Sequence, residues 1–201
     1  MSTAETRIHD AALRIFAERG VTQLTVSELA EEAGVARGTI YNNLGSTDAL
    51  FEEVAAGLAD EMLRRIVSSF AEIDDPAHRL ANGIRFFVRR AHEEPVWGRF
   101  IIRYTFSNDS LRAIWGGAPA GDLRRGQEQK RYSIDPDQVQ SALGMILGST
   151  LSAMMLVVEG HKTWRASGAD AAELVLRALG VAPREARETA NLELPPLPKL
   201  S

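Results

Sequence analysis

The chain of 201 residues contains no cysteine. This absence excludes disulfide cross-links, thiolate metal sites, iron–sulfur clusters and cysteine nucleophiles, and it fits a reducing compartment. The first residues are charged and lack the long apolar stretch of a signal peptide, so the sequence predicts a cytoplasmic protein. Hydrophobic residues make up 45% and charged residues 25%, which is typical of a globular protein that buries a core without cross-links.

Proline is absent from residues 1–75, so long helices are allowed there. Apolar residues recur with the i, i+3, i+4 spacing of amphipathic helices, and no pair of strands is evident. We therefore predict an all-α fold of about nine helices. The expected division is an N-terminal three-helix domain over residues 1–50, a linking fourth helix over 47–70, and a larger helical domain over 51–201.

Residues 25–44 show the pattern of a helix-turn-helix. Thr25 and Glu28 have the spacing of a capping box, and a tight turn at Gly34 and Val35 leads into a short polar helix. In such a motif the second helix lies in the major groove, where Arg and Asn read bases and Thr and Tyr contact phosphates. On pattern alone, an ordinary helical hairpin with a polar outer face is an equal alternative.

Residues 1–50 carry a longer series of motifs, which are Phe16-Ala17, Gly20, Thr25, Ala33-Gly34-Val35, Gly38-Thr39-Ile40-Tyr41 and Asp48-Ala49-Leu50. In this order they resemble the N-terminal DNA-binding domain of the TetR family of transcriptional repressors. The resemblance implies a ligand-responsive homodimer that binds double-stranded, pseudo-palindromic operator DNA and is released by a small-molecule effector. It also implies the DNA-binding residues, namely Thr25, Arg37, Gly38, Thr39, Tyr41, Asn42, Asn43 and Thr47.

Two departures from the family pattern concern DNA affinity. Asn43 and Leu44 replace the usual His-Phe, and Thr47 stands where a lysine is common. Residues 1–50 hold four Arg, no Lys and seven acidic residues, so phosphate attraction is modest unless the acids face away from DNA. A helical interaction module that has lost DNA binding therefore stays open as an alternative.

A helical enzyme is the second alternative, and the sequence argues against it. The four histidines lack metal-ligand spacing, and no nucleophile elbow, phosphate-binding loop or dinucleotide fingerprint is present. We expect no catalytic residue, metal or cofactor.

Residues 138–158 contain no charged residue. The length suffices for a membrane span, but six Gln, Ser or Thr among 21 positions argue against one, so we expect no membrane partner. The family resemblance implies that helices at about 136–161 and 169–179 form a four-helix bundle in a homodimer. The predicted interface is a row of small residues, Ser141, Gly144, Gly148 and Ser152. The core helix of a monomer is the alternative.

Most aromatic residues follow residue 85. A filled core explains any one of them, whereas the family resemblance implies that some line an effector pocket. The aromatic and methionine side chains favour an apolar, drug-sized or lipid-like effector. The predicted lining residues are Phe86, Phe87, Trp97, Phe100, Tyr104, Trp115, Met145 and Met154.

Overall fold

The computed structural model describes residues 3–44, 46–70 and 73–196. These residues form eleven α-helices and one short 3₁₀ helix, with no β-strand, which confirms the predicted all-α fold. The helices are α1 Thr3–Arg19, α2 Val26–Ala33, α3 Arg37–Asn43, α4 Leu50–Ser69, α5 Pro76–Glu93, α6 Pro95–Tyr104, α7 Asp109–Gly116, α8 Ala118–Glu128, α9 Val139–Val158, α10 Trp164–Ala178 and α11 Pro183–Ala190.

The helices α1, α2 and α3 form the N-terminal helix-turn-helix unit. The predicted capping box begins α2, because the Thr25 hydroxyl accepts from the Glu28 amide at 3.2 Å and the Glu28 carboxylate accepts from the Thr25 amide at 3.0 Å. Gly34 ends α2 with φ of +62°, a left-handed conformation that favours glycine. The Arg7 guanidinium donates to the carbonyls of Ala33 and Gly34, which holds α1 against this turn.

The helix α4 leads from this unit into the rest of the chain. It begins at Leu50, three residues after Thr47, because the Ser46 hydroxyl accepts from the Asp48 amide and holds the intervening residues in a turn. Its N-terminal half packs against α1, and α7 contacts α4 as well. A single helix thus contacts both parts of the molecule.

The helix α5 lies at the centre of the larger part and packs against α6, α8, α9 and α10. Asp75 caps α5 and Pro76 occupies its first turn, where the missing proline N–H costs nothing. Two helices exceed the expected nine. They are α8 and α11, and α11 precedes the extended, proline-rich residues 193–196.

The helices α9 and α10 differ from their predicted bounds. The stretch expected as one helix over 136–161 is a 3₁₀ helix, Pro136–Gln138, followed by α9, which ends at Val158. The helix α10 begins at Trp164, five residues early, because the Thr163 hydroxyl accepts from the Ala166 amide and caps it. Pro136–Val158 is long and apolar enough to cross a membrane, but α9 packs against α5, α6 and α10, as a core helix of a soluble protein does.

Candidate nucleic-acid interface and ligand cavity

The helix α3 presents a polar surface to solvent. Arg37, Gly38, Tyr41 and Asn42 are exposed, with Tyr41 67% accessible, while Ile40 on the opposite side is buried in the core. A Cβ added to Gly38 would meet no other part of the chain within 4 Å, so this position leaves room for close approach by an external partner. The surface has the shape and chemistry of a recognition helix.

The other predicted DNA contacts are partly engaged within the chain. Thr39, Asn43 and Thr47 are half-buried, and the Asn43 amide donates to the Thr39 carbonyl at 2.8 Å. The exposed Thr25 hydroxyl donates to the Glu28 carboxylate at 2.7 Å, and these bonds lower the pKa of Glu28 below its ordinary value. The exposed residues of α3 are therefore more open to an external partner than these three half-buried side chains.

Two of the three acidic residues of α2, Glu28 and Glu32, are paired with arginines of α1. The Arg14–Glu32 ion pair measures 2.8 Å and the Arg19–Glu28 pair 3.3 Å. Of the four arginines within residues 3–44, only Arg37 has no hydrogen-bond or ion-pair partner in the described part of the chain. These two ion pairs neutralise Glu28 and Glu32 but occupy two of the four arginines as well, which leaves Arg37 as the free guanidinium at the start of α3.

Aromatic rings join α6 to both α1 and α4. Phe51 of α4 lies 5.2 Å from Phe16 and 4.9 Å from Tyr104, measured between ring centroids. The Tyr104 hydroxyl lies 3.0 Å from the Phe16 carbonyl and 2.9 Å from the Val21 carbonyl, and burial raises its pKa. Phe100, 5.0 Å from Tyr104, belongs to the same group. Two residues predicted to line a ligand pocket thus lie where the N-terminal unit meets the rest of the chain.

A second aromatic group lies deeper in the larger part. Phe87 contacts Trp115 at 4.7 Å and Trp97 at 5.8 Å between centroids, and the Arg90 guanidinium lies 4.4 Å over the Trp97 ring. These rings pack directly against one another and do not enclose a cavity among themselves. The remaining predicted lining residues are fully buried in the core, as Phe86 and Met154 are, or half-buried, as Met145 is.

A narrow cleft lies between α4, α5, α7 and α8, and apart from its open mouth its free space is about 20 Å³, which is room for about one water molecule. Among the predicted pocket residues only Phe87 lines it. Its walls are mainly apolar, and Arg79 and Asp122 supply its charged groups. Sequence reasoning missed it because α8 was not foreseen. The lining residues are Leu63, Ile66, Phe70, Arg79, Leu80, Gly83, Phe87, Ile114, Ala118, Pro119 and Asp122.

Arg79 and Asp122 form an ion pair beside this cleft. Arg79 Nε donates to Asp122 Oδ1 at 2.7 Å, and the Asp122 side chain is only 5% exposed. Burial raises the pKa of Asp122, and the Arg79 guanidinium opposes that rise. Arg79 Nη1 also donates to the carbonyls of Phe70 at 3.1 Å and Ile73 at 3.3 Å. Arg79 therefore connects α8 to the chain that follows α4.

The predicted row of small residues lies along an outward face of α9. Ser141, Gly144 and Ser152 are exposed and Gly148 is half-exposed, and a Cβ on either glycine would meet nothing within 4 Å. Leu174 of α10 borders this face and is 61% exposed. The face is thus smooth, weakly polar and without a partner in the described residues of a single chain.

Two family models match the chain. Residues 8–54 match "Bacterial regulatory proteins, tetR family", and residues 75–192, more than half of the chain, match "Tetracyclin repressor-like, C-terminal domain".

Curated relatives match mainly over the N-terminal part. The transcriptional repressor KstR2 of Rhodococcus jostii is 34% identical over 71 residues, which is 34% of this chain and 35% of that protein. The regulator AcrR of Shigella flexneri is 44% identical over 52 residues, covering 25% and 24% of the two chains. The chain thus spans about a third or less of the length of these relatives.

Solved structures match over nearly the whole chain. RolR in complex with resorcinol superposes with a TM-score of 0.72 and 28% identity, covering 97% of this chain and 96% of that one. FadR from Bacillus subtilis in complex with stearoyl-CoA gives a TM-score of 0.71 at 22% identity, covering 85% and 97%. The second likeness concerns the fold alone.

Proposed function

Since the chain belongs to the TetR family of bacterial transcriptional regulators, we propose that it is a homodimeric repressor that binds a pseudo-palindromic operator and leaves it when a small molecule binds. The α3 surface carries this proposal. Arg37 is free to contact a guanine or a phosphate, Asn42 is placed to read a base, and Tyr41 extends its hydroxyl for a phosphate. Such a repressor works in the cytoplasm, where its operator lies.

Homodimerisation is proposed to use the outward faces of α9 and α10. The small side chains at Gly144 and Gly148 let a facing helix approach closely, and exposed Leu174 supplies apolar area beside them. A two-fold dimer carries two copies of α3, which explains why the operator should be a pseudo-palindrome.

The effector is proposed to bind within the larger helical part of the chain. The cleft beside Phe87 is the candidate site, because its walls are mostly apolar and α4 borders it. The helices around it must move apart to admit a molecule larger than water. Resorcinol, the molecule bound in the RolR structure, is the first compound to test.

Fluorescence anisotropy with operator DNA selected from a random pool tests the proposal. We expect specific binding that Arg37→Ala weakens by about tenfold or more at a contacted base, since one good base contact is worth roughly 1–3 kcal/mol. Arg124→Ala, an equal loss of charge at an exposed position on α8, is the matched control and should change little. Equal affinity for selected and random duplex would contradict the repressor function and favour an interaction module.

A further inference from the structure

We propose that an open, positively charged groove between α5, the start of α10 and the residues after α11 binds a small molecule that carries two or more phosphate groups. Three arginines, Arg85, Arg89 and Arg165, hold the phosphates, and Trp164 lies among them. None of the residues that line this groove belongs to the N-terminal unit, and none lines the cleft beside Phe87. The proposal therefore does not depend on operator binding.

The crossing of α5 and α10 brings the arginines of the groove together. Arg85 and Arg89 are four residues apart on α5, so their side chains project from consecutive turns on one face of the helix. The helix α10 crosses closely beside Arg85, because a Cβ on Gly168 would lie only 3.4 Å from Arg85 Cγ. This close crossing places the first residues of α10, Trp164 and Arg165, at the same groove.

The indole ring of Trp164 positions two of the three guanidinium groups. The guanidinium carbon of Arg165 lies 4.3 Å from the ring centroid, and that of Arg89 lies 5.5 Å from it. Cation–π contacts hold an arginine head group in place without neutralising its charge. Two positive charges that share one ring repel each other, and an anion between them replaces this repulsion with attraction.

Acidic residues do not balance the positive charge of the groove. Arg85 and Arg165 have no ion-pair partner in the described part of the chain, and Glu193, the one carboxylate among the lining residues, lies in no ion pair there. Arg89 pairs with Glu93 through Nε at 2.8 Å, which leaves its two terminal nitrogens for another acceptor. The groove is thus positive in a chain whose net charge is −4.

Arg85 carries an uncompensated charge in a partly buried place. Its side chain is half-buried, and burial lowers the pKa of its guanidinium. Its Nη1 donates to Oδ1 of the fully buried Asn82 at 3.3 Å, so its hydrogen-bond partner is a neutral amide. A charge that leaves water is costly unless it is paired, and a bound anion supplies that pairing.

The size and charge of the groove favour more than one phosphate group. Its free space is about 430 Å³, which lies in the range of ligand pockets and exceeds what a single phosphate ion needs. Guanidinium groups bind phosphate oxygens through paired hydrogen bonds, and three of them match an anion with at least two charges. The first amides of α10 have no intrahelical acceptor, and they add donors beside the arginines.

Isothermal titration calorimetry of the full chain without DNA tests the ligand class. The probes are inorganic triphosphate and citrate, which carries several negative charges on carboxylates, both at one ionic strength. We expect triphosphate to bind at one site per chain, about tenfold or more tightly than citrate, and less tightly as the salt concentration rises. Equal affinity for the two probes would show only a positively charged surface and would overturn the proposal.

Variants that each remove one guanidinium group locate the site. Arg85→Gln and Arg165→Gln should each weaken triphosphate binding by about tenfold or more, because each loses charge-assisted hydrogen bonds. Arg165 is exposed, so its variant keeps the test decisive if Arg85→Gln does not fold. Arg124→Gln, the same change at an exposed position on α8 outside the groove, is the matched control and should bind as wild type does. Unchanged affinity in Arg165→Gln, or an equal loss in Arg124→Gln, contradicts the site.

Tryptophan fluorescence gives a second measurement at the groove. Of the three tryptophans, Trp97 and Trp115 are buried in the core, whereas Trp164 is half-exposed beside the arginines. Triphosphate should therefore change the fluorescence of the wild type and leave that of Trp164→Phe unchanged. A signal that persists in Trp164→Phe would place the bound anion elsewhere and refute the assignment.

Competition with duplex DNA distinguishes a phosphorylated small molecule from the phosphates of a nucleic acid. A random duplex should leave triphosphate bound, because α3 and the groove belong to different parts of the chain. Displacement of triphosphate by the duplex would show that the groove contacts nucleic acid, and the small-molecule assignment would then be wrong.

Discussion

Removing the hydroxyl group from each of two tyrosines tests separately the contact between α6 and α1 and the expected contact with DNA. Tyr104 lies between α6 and α1, whereas Tyr41 projects from α3 into solvent. We expect Tyr104→Phe to lower stability and to reduce the effector's influence on DNA binding, with operator affinity of the free protein preserved. We expect Tyr41→Phe to weaken operator binding and leave stability unchanged. The chemical change is the same in both variants.

The structure sets the size of the Tyr104 effect. Its hydroxyl lies near two carbonyls but donates one proton, so the variant loses about one net hydrogen bond, or roughly 0.5–1.5 kcal/mol. The Phe16 carbonyl still accepts from the Gly20 amide at 3.1 Å, and the Val21 carbonyl belongs to an exposed residue that water can reach. No buried acceptor is left unpaired, so the loss should be near 1 kcal/mol. For a chain of this size that lowers the melting temperature by about 2–4 °C.

Thermal unfolding followed by circular dichroism, together with operator titrations with and without effector, measures both variants. An unchanged melting temperature in Tyr104→Phe would refute the assigned hydrogen bond. A weakened operator affinity of the free Tyr104→Phe protein would refute the division of labour, because this residue contacts no part of the α3 surface.

Three further outcomes are expected. Gly148→Leu should weaken the homodimer by roughly 1–3 kcal/mol through steric overpacking while helix content stays normal, and sedimentation measures both; a monomeric wild type at micromolar concentration contradicts the interface. Trp97→Ala should destabilise the chain by about 3–5 kcal/mol in urea unfolding, since Trp97 is a buried core residue. A smaller loss of stability together with weakened effector binding would show that Trp97 lines the effector pocket. Burial raises the pKa of Asp122 in the folded protein, so the stability that the protonated Asp122 contributes is fully present below the ordinary pKa of 3.8 and is lost as the pH rises through the folded-state pKa. The stability of Asp122→Asn relative to wild type should therefore increase with rising pH. A difference in stability that stays constant with pH contradicts the raised pKa.

The helix-turn-helix was predictable because its signals are local. Each signal depends on only a few neighbouring residues. The signals are the capping box at Thr25 and Glu28, the left-handed conformation of Gly34 and the pattern of buried and exposed residues on α3. Charge was harder to assess from sequence. The net acidity of residues 1–50 predicts weak phosphate attraction, and the sequence does not show which charges pair: the structure pairs Arg14 and Arg19 with α2 glutamates and leaves Arg37 exposed on α3.

The cleft was not predictable because apolar periodicity does not distinguish a packed side chain from one that faces a void. Phe87 and Trp97 both fit the helical stripe, but only Phe87 borders the cleft. The polar side of the cleft depends on Arg79 meeting Asp122, which lies 43 residues away on a helix rich in glycine and arginine. That pairing follows from the tertiary fold, and a local pattern carries no sign of it.

Two connections between the parts of the chain constrain how a ligand can act on α3. Near its start, α4 is held at Phe51 by the rings of Phe16 and Tyr104, and at its end Phe70 is held by Arg79. From Phe51 to Phe70 the helix measures roughly 28 Å at 1.5 Å per residue. If the Phe51 contacts act as a pivot, a shift of about 2 Å at Phe70, typical of helix movements in allosteric proteins, tilts α4 by about 4°.

Such a tilt is useful only if the N-terminal unit follows α4 as one body. The bonds from Arg7 join α1 to the turn after α2, and the packing of Phe51 on Phe16 joins α1 to the first turns of α4. In a homodimer the two copies of α3 would then change their separation, and a pseudo-palindrome with fixed spacing detects that change. The Tyr104 contact resists the same movement by fastening α1 to α6. We propose that operator release depends on how far a bound effector moves α4 against the contacts of Tyr104, and Tyr104→Phe should therefore alter the response to effector and not the affinity of the free protein.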